Sequence, residues 1–265
     1  MSKIVALLNI RPGEGRLVGL MLLNSFLMQL PALFAGTASY TLFLSEFGAE
    51  GLPYVYISNA LILPLVGLIY AKLENRFSLA QLLLANVSFM LLTVVVFRLG
   101  LGFSEAKWFI LAFVIFYDII RVLSNLEFWG LSGRLFDVRQ GKRLFGLIGS
   151  ASMVAAISGG ILTPWLVSLL GIANLLFLAI AALLGTLVLL VFMTRIYAGR
   201  LAALPTETSN QVETSPTRAV SLKNRYIMLL FTVLVLSVLS YYFLDNAFYD
   251  LTEAQYPTEE QLAGF

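Results

Sequence analysis

Seven long apolar segments, separated by short polar connections, leave this chain few ways to fold. They run over residues 17–43, 52–71, 79–101, 108–130, 144–170, 172–192 and 226–244. A helix rising about 1.5 Å per residue needs roughly 20 apolar residues to cross the hydrocarbon core of a bilayer. The segments have that length, and none shows the period-two alternation of a barrel strand. Only 12% of the 265 residues are charged, about half the usage of a soluble domain. The expected fold class is all-α, a polytopic membrane helical bundle with the lipid bilayer around it.

The basic residues sort to one side. Lys3, Arg11 and Arg16 precede the first segment, and Lys72 and Arg76 follow the second. Arg134, Arg139, Lys142 and Arg143 follow the fourth; Arg195, Arg200, Arg218, Lys223 and Arg225 follow the sixth. The alternate connections hold Glu46 and Glu50, then Glu105 with Lys107, then Asp245, Asp250, Glu253, Glu259 and Glu260. By the positive-inside rule this predicts a multi-pass protein of the cell (inner) membrane with a cytoplasmic N-terminus. The small-residue stretch Ala35-Gly36-Thr37-Ala38 resembles a cleavage site, but the apolar run continues to Phe43, so the first segment reads as an uncleaved span. Residues 1–9 are expected to lie on the membrane surface as a short helix ended by Arg11-Pro12-Gly13.

Six segments occupy residues 1–195. A stretch over 196–225, rich in Thr, Ser, Pro, Glu and Asn, reads as a cytoplasmic linker, and 226–265 as a seventh span with an external loop. Six helices, a linker and a restart match half of a major-facilitator transporter plus the first helix of its second half. On that layout the chain is expected to be truncated, the eighth helix and any C-terminal soluble domains lying beyond residue 265. A complete seven-helix receptor-like protein is the competing layout, but the seventh segment has no retinal-type lysine.

There is no cysteine and no histidine, which excludes disulfides, thiolate metal sites, catalytic thiols and imidazole bases. The expectation is a protein that is not an enzyme, with no metal, no cofactor and no nucleic-acid partner.

Charges inside a span are expensive and usually mark a pathway. Asp118 and Arg121 lie near the middle of the fourth segment, three residues apart on one face, and Asn125 extends the stripe. The Arg121 fork suits a phosphate or carboxylate, with Asp118 to orient it or to bind a cation or proton. The same spacing fits a structural pair that only locks helix packing. Gln29 and Asn24, deep in the first segment, complete the candidate substrate-binding set. Glu127 falls on the opposite face from Asp118 and is read as a gating or structural charge toward the basic 134–143 loop, with Lys142 and Arg143. Arg98 reads as snorkelling to the interface. Gly146, Gly149, Ser152, Ala155, Gly159 and Gly160 make the fifth segment a close-packing surface.

Two stretches, Phe128-Trp129-Gly130 and Lys142-Arg143-Leu144-Phe145-Gly146-Leu147-Ile148-Gly149, resemble the connection between helices four and five in the ATP/ADP exchange transporters, distant relatives of the major facilitators. The resemblance implies alternating-access exchange of a nucleotide. That family's charged cluster in helix one has no counterpart in Leu33-Phe34-Ala35-Gly36-Thr37-Ala38. The expected function is secondary active transport of an anionic metabolite, a nucleotide first. The alternative is a transporter-like membrane module that does not transport and instead anchors, or senses for, soluble domains.

Overall fold

The computed structural model describes residues 10–103, 107–201 and 225–255, and among them it is all helical, without a strand. Seven helices are long and apolar enough to cross a membrane: α1 (Gly15–Phe47), α2 (Leu52–Glu74), α3 (Leu79–Gly100), α4 (Lys107–Leu135), α5 (Val138–Leu170), α6 (Leu175–Ile196) and α7 (Arg225–Gln255). Lys3, Glu105, Arg218, Lys223, Glu259, Glu260, the surface helix expected over 1–9 and most of the linker lie outside the described residues.

Local chemistry sets where each helix stops. Two tight turns follow positive-φ glycines: Gly48 (φ 67°) ends α1 and Gly171 (φ 81°) ends α5, each donating its N–H back to the last helical turn. A side chain at either φ would be strained, so glycine suits the position. At the other end of the bundle, reciprocal capping boxes start the helices: Ser78 with Gln81 for α3, and Asp137 with Gln140 for α5. Each satisfies orphan N–H groups that a bilayer would leave bare. The Asp137 cap places Arg139, Lys142 and Arg143 inside α5, so that helix begins before its apolar run. Likewise α7 continues to Gln255, which makes 245–255 helix rather than the expected loop.

α1 packs against α4, α5 and α6, while α3 packs on α6 and α4, and α2 on α4. Its buried positions include Ser25, Ala35, Gly36, Ala38 and Ser39, small enough for neighbouring backbones to come close. Gly159 of α5 meets the tip of Leu33, where a Cβ would collide, and Ala155 and Thr163 share that buried face. The expected small-residue surface is therefore one stripe of α5, since Gly146, Gly149 and Gly160 have open space beside them. One contiguous core runs through α1, α3, α4, α5 and α6, from Val18 and Met21 to Leu183 and Met193. α7 keeps its central apolar turns out of that core and docks on the Ala49–Gly51 turn and α2.

Candidate functional site

α4 has two different faces. One carries Ile120, Leu123 and Leu131 into the apolar core, and the other presents Asp118, Arg121 and Asn125. Asp118 is 1% exposed, and three helices complete its surroundings. Asn59 Nδ2 of α2 donates to Asp118 Oδ2 at 2.6 Å, and the Tyr40 hydroxyl of α1 donates to the same oxygen at 3.2 Å. Arg121 Nε lies 3.3 Å from Asp118 Oδ1. Two donors thus fix the carboxylate through Oδ2, and its Oδ1 pairs with the Nε edge of the guanidinium. A guanidinium has five N–H donors, so the outer edge of Arg121 is left to face a cavity. Its side chain is 44% exposed.

Arg121 stands between two cavities that share Gln29, Ala32 and Arg121 as a common wall. The larger, of about 450 Å³, is walled by α1, α2, α4 and α7. It is rich in tyrosine: Tyr40 stacks on Tyr249 of α7 (centroids 5.3 Å, 3° between planes) and meets Tyr117 edge-on at 5.8 Å. Its second carboxylate, Asp245, accepts a hydrogen bond from the Tyr56 hydroxyl at 2.8 Å. The smaller cavity, of about 290 Å³, lies between α1, α4 and α5. Arg121 is the charged residue in its lining, with the amides of Gln29 and Asn125 and the rings of Phe128 and Trp129 around it. Gly149 and Ser152 of α5 close the far wall, the two small residues leaving room for the space itself. The Phe-Trp pair and the small-residue entry of α5 therefore border this cavity.

The remaining predicted residues separate from these. Asn24 is fully buried and lines neither cavity; its amide faces Glu127 across the α1–α4 interface. Glu127 is also fully buried, which corrects the expectation that it turns toward the basic 134–143 loop. The signal was in the sequence, because Glu127 shares its helical stripe with Ile120, Leu123 and Leu131. Lys142 is exposed. Arg143 instead clasps Glu14, at 2.6 and 2.7 Å to its two oxygens, with Gln140 donating to the same carboxylate at 3.1 Å. Burial pushes the Glu14 carboxyl up, but the Arg11 N–H, the Gln140 and Arg143 donors and the Arg143 charge outweigh it and hold the group below its usual value. Arg98 is tied to Asn174 and lies 4.4 Å from the centre of the Phe177 ring, so it joins α3 to the start of α6 rather than reaching freely outward.

Asn59 and Tyr40, which hold Asp118, and Asp245, which shares its cavity, come from three helices distant in sequence from Asp118. Among the described residues no cluster of acidic side chains has the makings of a metal site. Comparison with protein families, with curated proteins and with solved structures gives no match for the chain.

Proposed function

We propose that this multi-pass protein is a secondary transporter of a small anionic metabolite, working by alternating access through the two cavities that meet at Arg121. The observation that carries the reading is the half-exposed guanidinium, held on one edge by a carboxylate that Asn59 and Tyr40 fix through its other oxygen. Such a group binds an oxyanion through its free edge without first losing Asp118. The smaller cavity is where the anion would sit, because Arg121 is not opposed by a second carboxylate there. The tyrosine-rich cavity, with Asp118 and Asp245, would accept the uncharged remainder of the solute or its path of release.

A nucleotide is the first substrate to test, by ATP/ADP exchange, since the aromatic pair Phe128 and Trp129 beside Arg121 offers a base a stacking surface. Support for this substrate is the resemblance of 128–149 to the nucleotide exchangers. The basic connections after α2, α4 and α6 favour the inner membrane with the Glu14 end in the cytoplasm. The competing reading, a membrane module that anchors or senses without transport, draws on the absence of charge in α1 where the exchangers carry it.

The test is counterflow of labelled ADP in proteoliposomes, with Arg121→Ala and Arg121→Lys beside the parent. Exchange lost in Arg121→Ala and weakened in Arg121→Lys supports the transporter. Exchange indifferent to Arg121, or folded protein that exchanges no anion offered, sinks it.

A further inference from the structure

Glu127 stands apart from the cavities. It is fully buried in the α1–α4 interface, where the Asn24 amide faces it, and among the described residues neither carboxyl oxygen has a partner at full hydrogen-bond geometry. A bare carboxylate is among the costliest groups a membrane bundle can enclose. Yet three helices turn polar side chains toward this one turn of α4. Asn24 of α1, itself fully buried with both side-chain polar atoms unpartnered, faces the carboxyl. Tyr70 of α2 brings its buried hydroxyl to 3.9 Å from where a Cβ would stand on Gly130, one turn along from Glu127. Asn86 of α3 donates at 3.1 Å to the Leu123 carbonyl, which closes the helical turn at Glu127. The titratable groups on this side are Tyr70 and, behind it, Glu74; among the described residues no lysine or arginine forms an ion pair with Glu127.

We propose that Glu127 is a proton-binding site, loaded and unloaded during the transport cycle, so that solute movement past Arg121 is coupled to protons. The coupling rests on the transporter reading above. A bound metal ion needs several oxygens arranged around a space, whereas a proton needs neither. Glu127 and Asn24 line neither cavity at Arg121, nor a third, apolar one of about 380 Å³ bordered by Tyr70 and Asn86. With its proton the carboxyl is a neutral group, able to donate to Asn24 Oδ1 after a small shift, and the α1–α4 interface stays closed. Without it the carboxylate demands water or a cation, and α4 must part from α1 to admit either. The proton thereby biases one bundle conformation over another, which is what coupling requires.

Two readouts on the full chain in proteoliposomes test this. Infrared spectroscopy should show a protonated carboxylic-acid carbonyl band that disappears in Glu127→Gln. Inward-acid pH gradients should drive labelled ADP accumulation in the parent, and Glu127→Gln should lose that drive by about tenfold or more while keeping ADP counterflow. An acid band untouched by Glu127→Gln, or a parent whose accumulation ignores the gradient while it still exchanges ADP, overturns the proposal. So does a carboxylate band in the parent with stability that rises on adding sodium, which would make the site a cation site. If the parent moves no ADP at all, the nucleotide reading fails by itself, and the infrared band still decides whether Glu127 holds a proton.

Discussion

Replacing Asp118 tests whether this carboxylate belongs to the bundle or only to its arginine. Its side chain is 1% exposed and accepts from Asn59 at 2.6 Å and from Tyr40 at 3.2 Å, while Arg121 sits 3.3 Å away. Hydrogen bonds to a charged group contribute about 1.5–3 kcal/mol each, and neutral side-chain bonds inside membranes average about 0.6 kcal/mol. Asn59 is 2% exposed and its Oδ1 is already without a partner, so losing Asp118 strands its whole amide. Arg121, by contrast, is 44% exposed on its side chain and can be hydrated from the cavity. Asp118→Ala should therefore cost about 3 kcal/mol. Asp118→Asn keeps an acceptor for Asn59 and Tyr40 and should cost about 1 kcal/mol. Unfolding in mixed micelles, followed by tryptophan fluorescence and helical circular dichroism, gives these differences. A double-mutant cycle with Asn59→Ala should return a coupling of about 1–2 kcal/mol, and one with Arg121→Ala under about 1 kcal/mol because solvent screens that pair. The reverse order, with Arg121 coupled more strongly than Asn59, would refute the claim that the bundle holds Asp118 in place and leaves the guanidinium to the solute.

Two further outcomes follow from single contacts. A Cβ on Gly36 would stand 2.7 Å from the Tyr117 hydroxyl oxygen and 2.8 Å from the ring carbon that bears it, so Gly36→Ala should destabilise by about 1–3 kcal/mol. Tyr117→Phe should not rescue it, because the ring carbon remains, whereas Tyr117→Ala should; the unfolding midpoint reports both. For Glu14, whose carboxyl is held below the usual glutamate value of 4.5, the clasp to Arg143 and Gln140 stabilises fully above that value. Its contribution is lost as pH falls through the lower folded value, so stability should begin to drop only below about pH 4.5, with Glu14→Gln flat across that window.

Hydropathy alone located all seven helices, because span length and apolar run are the same physical requirement. It missed their polar ends. Val138–Arg143 is helix because the Asp137–Gln140 capping box starts it, a signal present in the sequence but invisible to an apolar window. That Asp118, Arg121 and Asn125 share one side of α4 was legible because charges in a span are costly and helical spacing fixes their face. What surrounds them was not. Nothing local in Tyr40, Asn59 or Asp245 says that three separate helices carry them to one cavity. Asn24 looked equivalent to Gln29, yet the rotation of α1 sends Gln29 to the cavities and Asn24 into the core. Arg143 is basic like its neighbours in sequence, but α5 turns it back onto Glu14.

Whether the space around Arg121 is a solute path can be asked directly, since the chain has no cysteine of its own. Asn125 is exposed in the smaller cavity, so Asn125→Cys supplies a single thiol one turn from Arg121. Membrane-impermeant thiol reagents applied to each side of reconstituted vesicles, with and without ADP, read its access. A solute path requires labelling that ADP slows, and that loses its ADP dependence when Arg121→Ala is added. A thiol that no reagent reaches from either side, or one labelled at the same rate whatever anion is present, would contradict it.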